Sequence, residues 1–244
     1  MSRDWAGKRY WLVGASEGLG AALAREMSDA GVELILSARS EDKLNEVAKH
    51  LPAKAEVKPV DITDAEALAR VADEIGEIDG VVQLAAVYWP FGAKDWEAEH
   101  ANLMADVNLG GAMRLVGVVV PRFVARGHGH IVLTGSLSGY RGLPGAAAYV
   151  ATKSGVMALA ESLYADLRGT GVEVQLLNPG FIETRLTDKN DFRMPFKMKP
   201  NEAAEVYFAH MSGGGFQKAF PRLFSWVFRG SQFLPDWLYY RVFG

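Results

Sequence analysis

Tyr149-Val150-Ala151-Thr152-Lys153 sets a phenol and an ammonium four positions apart, and Ser136 stands thirteen positions before the phenol. On a helix that spacing brings tyrosine and lysine onto one face. A phenol with a pKa of about 10 is a poor base at neutral pH, but a cation one turn away favours the phenolate. Such a group can exchange a proton with a substrate. Ser136 can hydrogen-bond the same substrate oxygen and stabilise charge that develops on it. Taken alone, the tyrosine-lysine pair also describes two neighbours on a surface helix.

A second constellation lies near the start of the chain, in Gly14-Ala15-Ser16-Glu17-Gly18-Leu19-Gly20. Gly14 permits a tight turn, and Gly18 and Gly20 remove side chains where a backbone could approach a pyrophosphate at the positive end of a helix. The plainer alternative is a sharp strand-to-helix turn. Further on, Leu36-Ser37-Ala38-Arg39-Ser40 ends an apolar run at the place where a dinucleotide fold meets the adenosine ribose. An acid there would accept from a 2'-hydroxyl, whereas Arg39 offers donors to a 2'-phosphate, which favours NADP over NAD. Against this, Arg39 also reads as a solvated residue opening a helix, and Glu17 would repel a phosphate. Asp61-Ile62 suits an adenine contact, or an ordinary cap for a helix from Asp64 to Ile75.

These residues need a scaffold, and the chain alternates strand-like and helix-like patterns. Short apolar runs recur at Tyr10 to Val13, Val32 to Leu36, Val57 to Val60, Gly80 to Ala86, Ile131 to Leu133 and Val172 to Leu177. Between them apolar residues repeat at helical spacing, as in Leu19, Ala22, Leu23 and Met27 before Gly31. The alternation predicts a doubly wound parallel sheet in a three-layer α/β/α arrangement, with ligands bound beyond the C-terminal ends of the strands. One domain over residues 1–244 is expected at this length. After Asn178 the pattern breaks, and residues 187–211 read as a lid ending in a helix from Asn201 to about Met211. Within it Phe192, Met194, Phe196 and Met198 alternate with Arg193, Lys197 and Lys199, which suits an apolar pocket wall or a solvated loop. Residues 216–244 form an amphipathic aromatic tail carrying Arg222, Arg229, Asp236 and Arg241.

Bulk properties narrow the function classes. The 26 basic and 29 acidic side chains are interspersed and leave a net charge of -3, which argues against nucleic acid as a partner. The absence of cysteine excludes disulfides, zinc-thiolate sites and thiol catalysis, and fits a reducing, cytoplasmic compartment. The five histidines show no metal-ligand spacing, so no metal is expected. Residues 1–9 lack the apolar core of a signal peptide, and Leu115 to Val120 is far shorter than the roughly 20 residues of a membrane span.

In order and spacing, from Gly14-x-x-x-Gly18-x-Gly20 through Asp61, Asn108, Ser136, Tyr149 and Lys153 to Asn178-Pro179-Gly180-Phe181-Ile182-Glu183-Thr184, the chain resembles the short-chain dehydrogenase/reductase family over residues 8 to about 185. The resemblance implies a Rossmann-type oxidoreductase that moves hydride between a nicotinamide cofactor and a ketone or secondary alcohol; Arg39 makes the cofactor NADP(H), with NAD(H) the lesser alternative, and a pocket covered by the aromatic tail makes the expected substrate hydrophobic. It implies a catalytic set in which Tyr149 is the acid/base, Lys153 lowers its pKa and holds the nicotinamide ribose, Ser136 positions the substrate oxygen and Asn108 supports a proton path. A helix distortion at Asp106-Val107-Asn108 is the structural alternative for Asn108. Cofactor contacts would come from Gly14, Ser16, Glu17, Gly18, Leu19, Gly20, Arg39, Asp61, Ile62, Ala85, Ala86, Tyr149, Lys153, Pro179, Gly180, Ile182 and Thr184. A homodimer or homotetramer is implied as well.

Three departures stand out. Gln83 and Leu84 replace two asparagines usual in the family, so bracing between strands must be made differently; Val13 replaces a threonine; and Glu17 stands where a base is common in NADP-preferring members. Two other classes compete: a nucleotide-binding sensor without catalysis, and a membrane-surface or scaffold protein using the tail. The tail's large apolar side chains could be covered by the substrate cleft, a neighbouring subunit or a membrane surface.

Overall fold

The computed structural model describes residues 3–191 and 194–243; Phe192 and Arg193 of the expected lid and Gly244 of the tail lie outside the described residues. Strand β1 (Arg9–Val13) is apolar on both faces because both are covered. Trp11 and Val13 enter one core, with Ile35, Val81 and Ile131. Tyr10 and Leu12 enter the other, with Leu34, Leu36 and Val132, as the two-residue period of a strand requires. Around β1 the sheet runs in parallel through β2 (Glu33–Ser37), β3 (Ala55–Val57), β4 (Gly80–Gln83), β5 (Gly129–Thr134), β6 (Val172–Pro179) and β7 (Gln217–Phe220), in the order β3-β2-β1-β4-β5-β6-β7. The fold is the doubly wound, Rossmann-type α/β sandwich.

One layer holds α1 (Gly18–Asp29) and α2 (Glu41–Lys49), and the other holds α3 (Ala65–Ile75). The residues that cap these helices are those the side-chain chemistry favours: Ser40 accepts from the Lys43 amide, and Asp64, not Asp61, accepts from the Ala67 amide. Beyond β4, α4 (Ala98–Met104) passes through one π-helical stretch, Ala105–Gly110, into α5 (Gly111–Arg126), and α6 (Ala147–Asp166) lies beside it. The run Ala98–Arg126 is long and apolar enough to cross a membrane by length and composition. Here it packs Leu115, Val119 and Phe123 into the core, as an apolar helix beneath a sheet does.

Two expectations are revised by the packing. The sheet has a seventh strand, β7, in the tail; it is four residues long and leaves Lys218 exposed, too short and too mixed for an apolar-run signal. The tail continues as α8 (Arg222–Ser231) and α9 (Asp236–Phe243). The helix assigned to the end of the lid is α7 (Pro200–Gly213), and it belongs to the core. Its Ala203 and Ala204 permit close approach, so that these two, Tyr207 and Met211 are fully buried beside Leu23 and Met27 of α1. The Tyr207 hydroxyl lies 2.8 Å from Thr134 Oγ1 at the end of β5. Of the expected lid, residues 187–191 and 194–199 are the described ones outside α7.

This packing predicts a large cost for truncation in α7. Tyr207→Ala should lower unfolding free energy by about 3–5 kcal/mol, read from urea transitions of the ligand-free chain. A loss within about 0.5 kcal/mol, the range of an ordinary surface change, would return α7 to the lid.

Candidate active site

Strand order reverses between β1 and β4, and there the chain opens a cleft of about 870 Å³ beyond the C-terminal strand ends. Every residue assigned above to the cofactor, with Ser136, Tyr149 and Lys153, lines this one cleft. Asn108 lies behind it, fully buried.

At the catalytic end, Ser136 follows β5 and heads a short 3-10 turn, Leu137–Tyr140. Its Oγ accepts from the Ser138 amide at 3.2 Å and from the Ser138 hydroxyl at 2.9 Å. With both acceptor sites engaged, the capacity left to Ser136 is its own O–H donor. Ser138 is a positioning residue that sequence reasoning passed over. The Tyr149 phenol lines the same end of the cleft as Ser136, and Tyr88 packs edge-on against its ring at 4.9 Å. Lys153, 2% exposed, donates to the Thr134 carbonyl at 2.9 Å and lies 5.9 Å from the Tyr149 ring centre.

The acid-base balance differs from the expectation that Lys153 depresses the phenol. Burial pushes Tyr149 up to about 12, outweighing the lowering effect of the Ser136 hydroxyl. Burial likewise brings Lys153 down to about 8. Each group is penalised for carrying charge in the same dry corner, and the ammonium is directed at the Thr134 carbonyl. As the side chains stand, Tyr149 holds its proton at neutral pH.

Asn108 sits in the helix distortion foreseen as the structural alternative for that position. The helix is distorted at Ala105–Gly110, where the Asn108 amide closes a two-way bond with the Val87 backbone: Oδ1 accepts at 2.8 Å and Nδ2 donates at 2.9 Å. Nδ2 also reaches Thr152 Oγ1 at 3.2 Å, and that hydroxyl donates to the Tyr149 carbonyl. Asn108 therefore ties the segment after β4 to α6, which carries Tyr149 and Lys153.

At the other end the residues suit a nicotinamide dinucleotide. No side chain caps α1, whose N-terminus opens onto the cleft with Glu17 at its head. A Cβ on Gly18 would lie 2.8 Å from Thr184 across the cleft. Gly14 and Gly20 have another reason to be glycine: at Gly14 (φ 103°) a Cβ would fall 2.4 Å from the Ala85 nitrogen, and at Gly20 2.0 Å from the Gly14 oxygen. The turn is thus glycine-rich for its own packing as well as for a ligand. Arg39 is exposed at the rim, and Asp61 Oδ1 is bound to the Thr63 amide and hydroxyl at 2.9 and 2.8 Å.

Glu17 does not face a phosphate as a bare charge. Its carboxylate is bound by Arg185, and by Lys43 at 3.1 Å. Despite a burial penalty, these cations hold its carboxyl below the usual range. Lys43 and Arg185 join Arg39 on the lining, and neither was evident from the sequence. Tyr88, Trp89 and Lys189 line the cleft as well; the Lys189 ammonium sits 4.0 Å over Trp89, and Tyr88 donates to Asn190 at 3.1 Å. Gln83, at one of the two asparagine positions, is fully buried and its Nε2 donates to the Ala85 carbonyl at 2.7 Å within its own segment, while the side-chain bond between strands is made by Thr134 Oγ1, which donates to the Gln83 backbone carbonyl.

Residues 8–193 match the family described as short chain dehydrogenase. A Myxococcus xanthus (strain DK1622) protein described as an uncharacterized oxidoreductase is 37% identical over 235 residues, covering 93% of each chain. A short chain dehydrogenase from Burkholderia cenocepacia J2315, solved in complex with NADP, superposes with a TM-score of 0.88 at 22% identity over 99% of this chain and 100% of the other. A short-chain dehydrogenase from Sphingobium yanoikuyae, solved in complex with NADPH, gives a TM-score of 0.81 at 26% identity over 88% of each.

The dry corner around Lys153 yields a prediction about stability. Its folded pKa, about 8, lies below the ordinary 10.5, so below about 8 the native state bears the full cost of a buried ammonium. Between those values the unfolded chain binds more protons, and the group's contribution to stability rises with pH. Lys153→Met should therefore stabilise the ligand-free chain at neutral pH, by on the order of 1–3 kcal/mol, and this gain should shrink as pH climbs through the window. Paired urea unfolding of both proteins at neutral and alkaline pH reads it; a destabilised variant at neutral pH would show that the Thr134 carbonyl fully compensates the charge.

Proposed function

The chain belongs to the short-chain dehydrogenase/reductase family, and from that premise we propose that it is an NADP(H)-dependent oxidoreductase interconverting an apolar ketone and its secondary alcohol, with Tyr149 as the proton donor and acceptor. The observation that carries the reading is one cleft lined by Ser136, Tyr149 and buried Lys153 at one end, and by an uncapped helix N-terminus beside Arg39 at the other. The nicotinamide supplies or accepts the hydride. The chain's own residues handle the oxygen and its proton. Ser136 donates to the substrate oxygen from a hydroxyl pinned by Ser138, and Tyr149 Oη transfers its proton to that oxygen as hydride reaches the carbonyl carbon. A phenol that keeps its proton at neutral pH has one to give to the substrate oxygen. Lys153, under Thr134, would hold the nicotinamide ribose.

The preference for a 2'-phosphate rests on three cations at the adenosine side of the cleft, Arg39, Lys43 and Arg185, with Glu17 balancing the last two. The Sphingobium relative, solved with NADPH, supports it. The apolar substrate follows from the walls, where Tyr88 packs against Tyr149 and Trp89 lies on the same lining.

Tyr149→Phe deletes only the oxygen that carries the proton. It should retain NADPH affinity while turnover of a generic ketone falls by roughly a hundredfold or more. Near-normal turnover, with the fold verified, would remove Tyr149 from the acid-base role. Arg39→Ala should weaken NADPH by about tenfold or more while NADH changes little, since a charge-assisted contact is lost only with the phosphate. Equal losses for the two cofactors, measured by fluorescence titration, would shift the phosphate reading to Lys43 and Arg185.

A further inference from the structure

Helices α8 and α9 have two faces of opposite character. Inward, Phe224 reaches Gly180, and Ser225, Ser231 and Tyr239 are buried. Arg141 fastens the pair to the segment just after Ser136: its Nη1 donates to the Ser231 and Leu234 carbonyls at 2.7 Å each, and its guanidinium lies 4.0 Å over the Tyr239 ring. The Tyr239 hydroxyl returns a bond to the Gly142 carbonyl at 2.7 Å. The tail is a fixed element of the structure.

Outward, Leu223 is 74% exposed, Trp226 67%, Phe233 89% and Trp237 70%. Side chains this large and this bare are seldom left to water on one small element. Three exposed arginines, Arg222, Arg229 and Arg241, stand among them. With Lys218 and against Asp236 they give residues 216–244 a net charge of +3, within a chain of -3, so residues 1–215 carry -6. Asp236 is itself engaged by Arg141 from outside the tail.

We propose that the outer face of α8 and α9 is a docking surface for an anionic lipid bilayer, with Trp226, Phe233 and Trp237 entering the headgroup boundary and the three arginines on lipid phosphates. Amphipathic aromatic side chains beside arginines are the composition an interfacial helix uses. Charge selects this occupant over a second copy of the chain. A two-fold contact would set the same +3 face against itself, whereas an anionic bilayer attracts that face and repels the -6 body, which also fixes the orientation. The proposal stands independently of the hydride chemistry, and its test reads no turnover.

The test is flotation of the intact chain with vesicles of phosphatidylcholine alone and of phosphatidylcholine mixed with phosphatidylglycerol. Binding is expected to the mixed vesicles at low salt, weakening as salt rises. Replacing Arg222, Arg229 and Arg241 together by glutamine should lower apparent affinity by roughly a hundredfold, about fivefold per charge. Trp226→Ser with Phe233→Ser should abolish binding while circular dichroism is unchanged. Should that variant misfold, quenching of the intact chain's tryptophan emission by phosphatidylglycerol with brominated acyl chains gives the same answer without substitution. An intact chain that ignores mixed vesicles overturns the proposal. So does sedimentation showing self-association that Trp226→Ser with Phe233→Ser disrupts, since the face would then belong to a second copy.

Discussion

Two backbone carbonyls at the strand ends hold the cleft open, and the rest of the site follows from them. The Ser37 oxygen at the end of β2 accepts from both Gly14 and Ala15, at 2.7 and 3.1 Å, and the Val13 oxygen at the end of β1 accepts from both Leu84 and Ala85, at 2.8 and 2.9 Å. Each carbonyl, with two lone pairs, satisfies two successive donors, so the chain can leave the ladder without orphaning a buried amide. The turn after β1 is thereby drawn against Ala85 so closely that only glycine fits at position 14. The N-terminus of α1 then has one direction to face, which is the crevice where the strand order reverses.

The same economy explains which parts of the site were legible. Features set by local backbone needs, such as the glycines of the first turn or Ser136 at the end of β5, carry their signal in a few adjacent residues. Tyr149 and Lys153 are equally local because helix geometry places them together. Lys43 and Arg185 are different: Arg185 meets Glu17 across 168 positions of sequence, and Lys43 meets it across 26. Glu17 therefore reads as a repulsive charge when only its neighbours in sequence are known. In the fold, α2 and the segment after β6 deliver its counterions. Tyr88 and Trp89 were missed for a related reason, since an aromatic pair after an apolar strand also describes simple core packing.

Elements at the far end of the chain were harder to read because their partners lie far back in the sequence. β7 has four residues and is defined by pairing with β6, not by its own hydropathy. α7 combines buried Ala203, Ala204 and Tyr207 with exposed Asn201, Glu202 and Glu205, a pattern that fits a lid as well as a core helix until α1 is in view. The six strand-like runs through Leu177 place the first six strands of the sheet in order, though β3 lies at Ala55–Val57, slightly ahead of the expected run, and β4 ends at Gln83. β4 ends there because the chain must leave the ladder to line the cleft.

The distorted helix at Ala105–Gly110 joins these strands of reasoning. A buried asparagine amide has its own donors and acceptor to satisfy, whatever the helix around it does. The π-helical stretch surrounds Asn108, whose amide meets Val87 as a strand neighbour would: one acceptor and one donor within 3 Å. Val87 immediately precedes Tyr88, which packs on Tyr149, and Asn108 also reaches Thr152, one residue before Lys153. A single buried amide thus sets the distance between the wall of the cleft and the helix that carries the phenol and the ammonium. An asparagine at this place is accounted for by this bracing, with no proton path assigned to it.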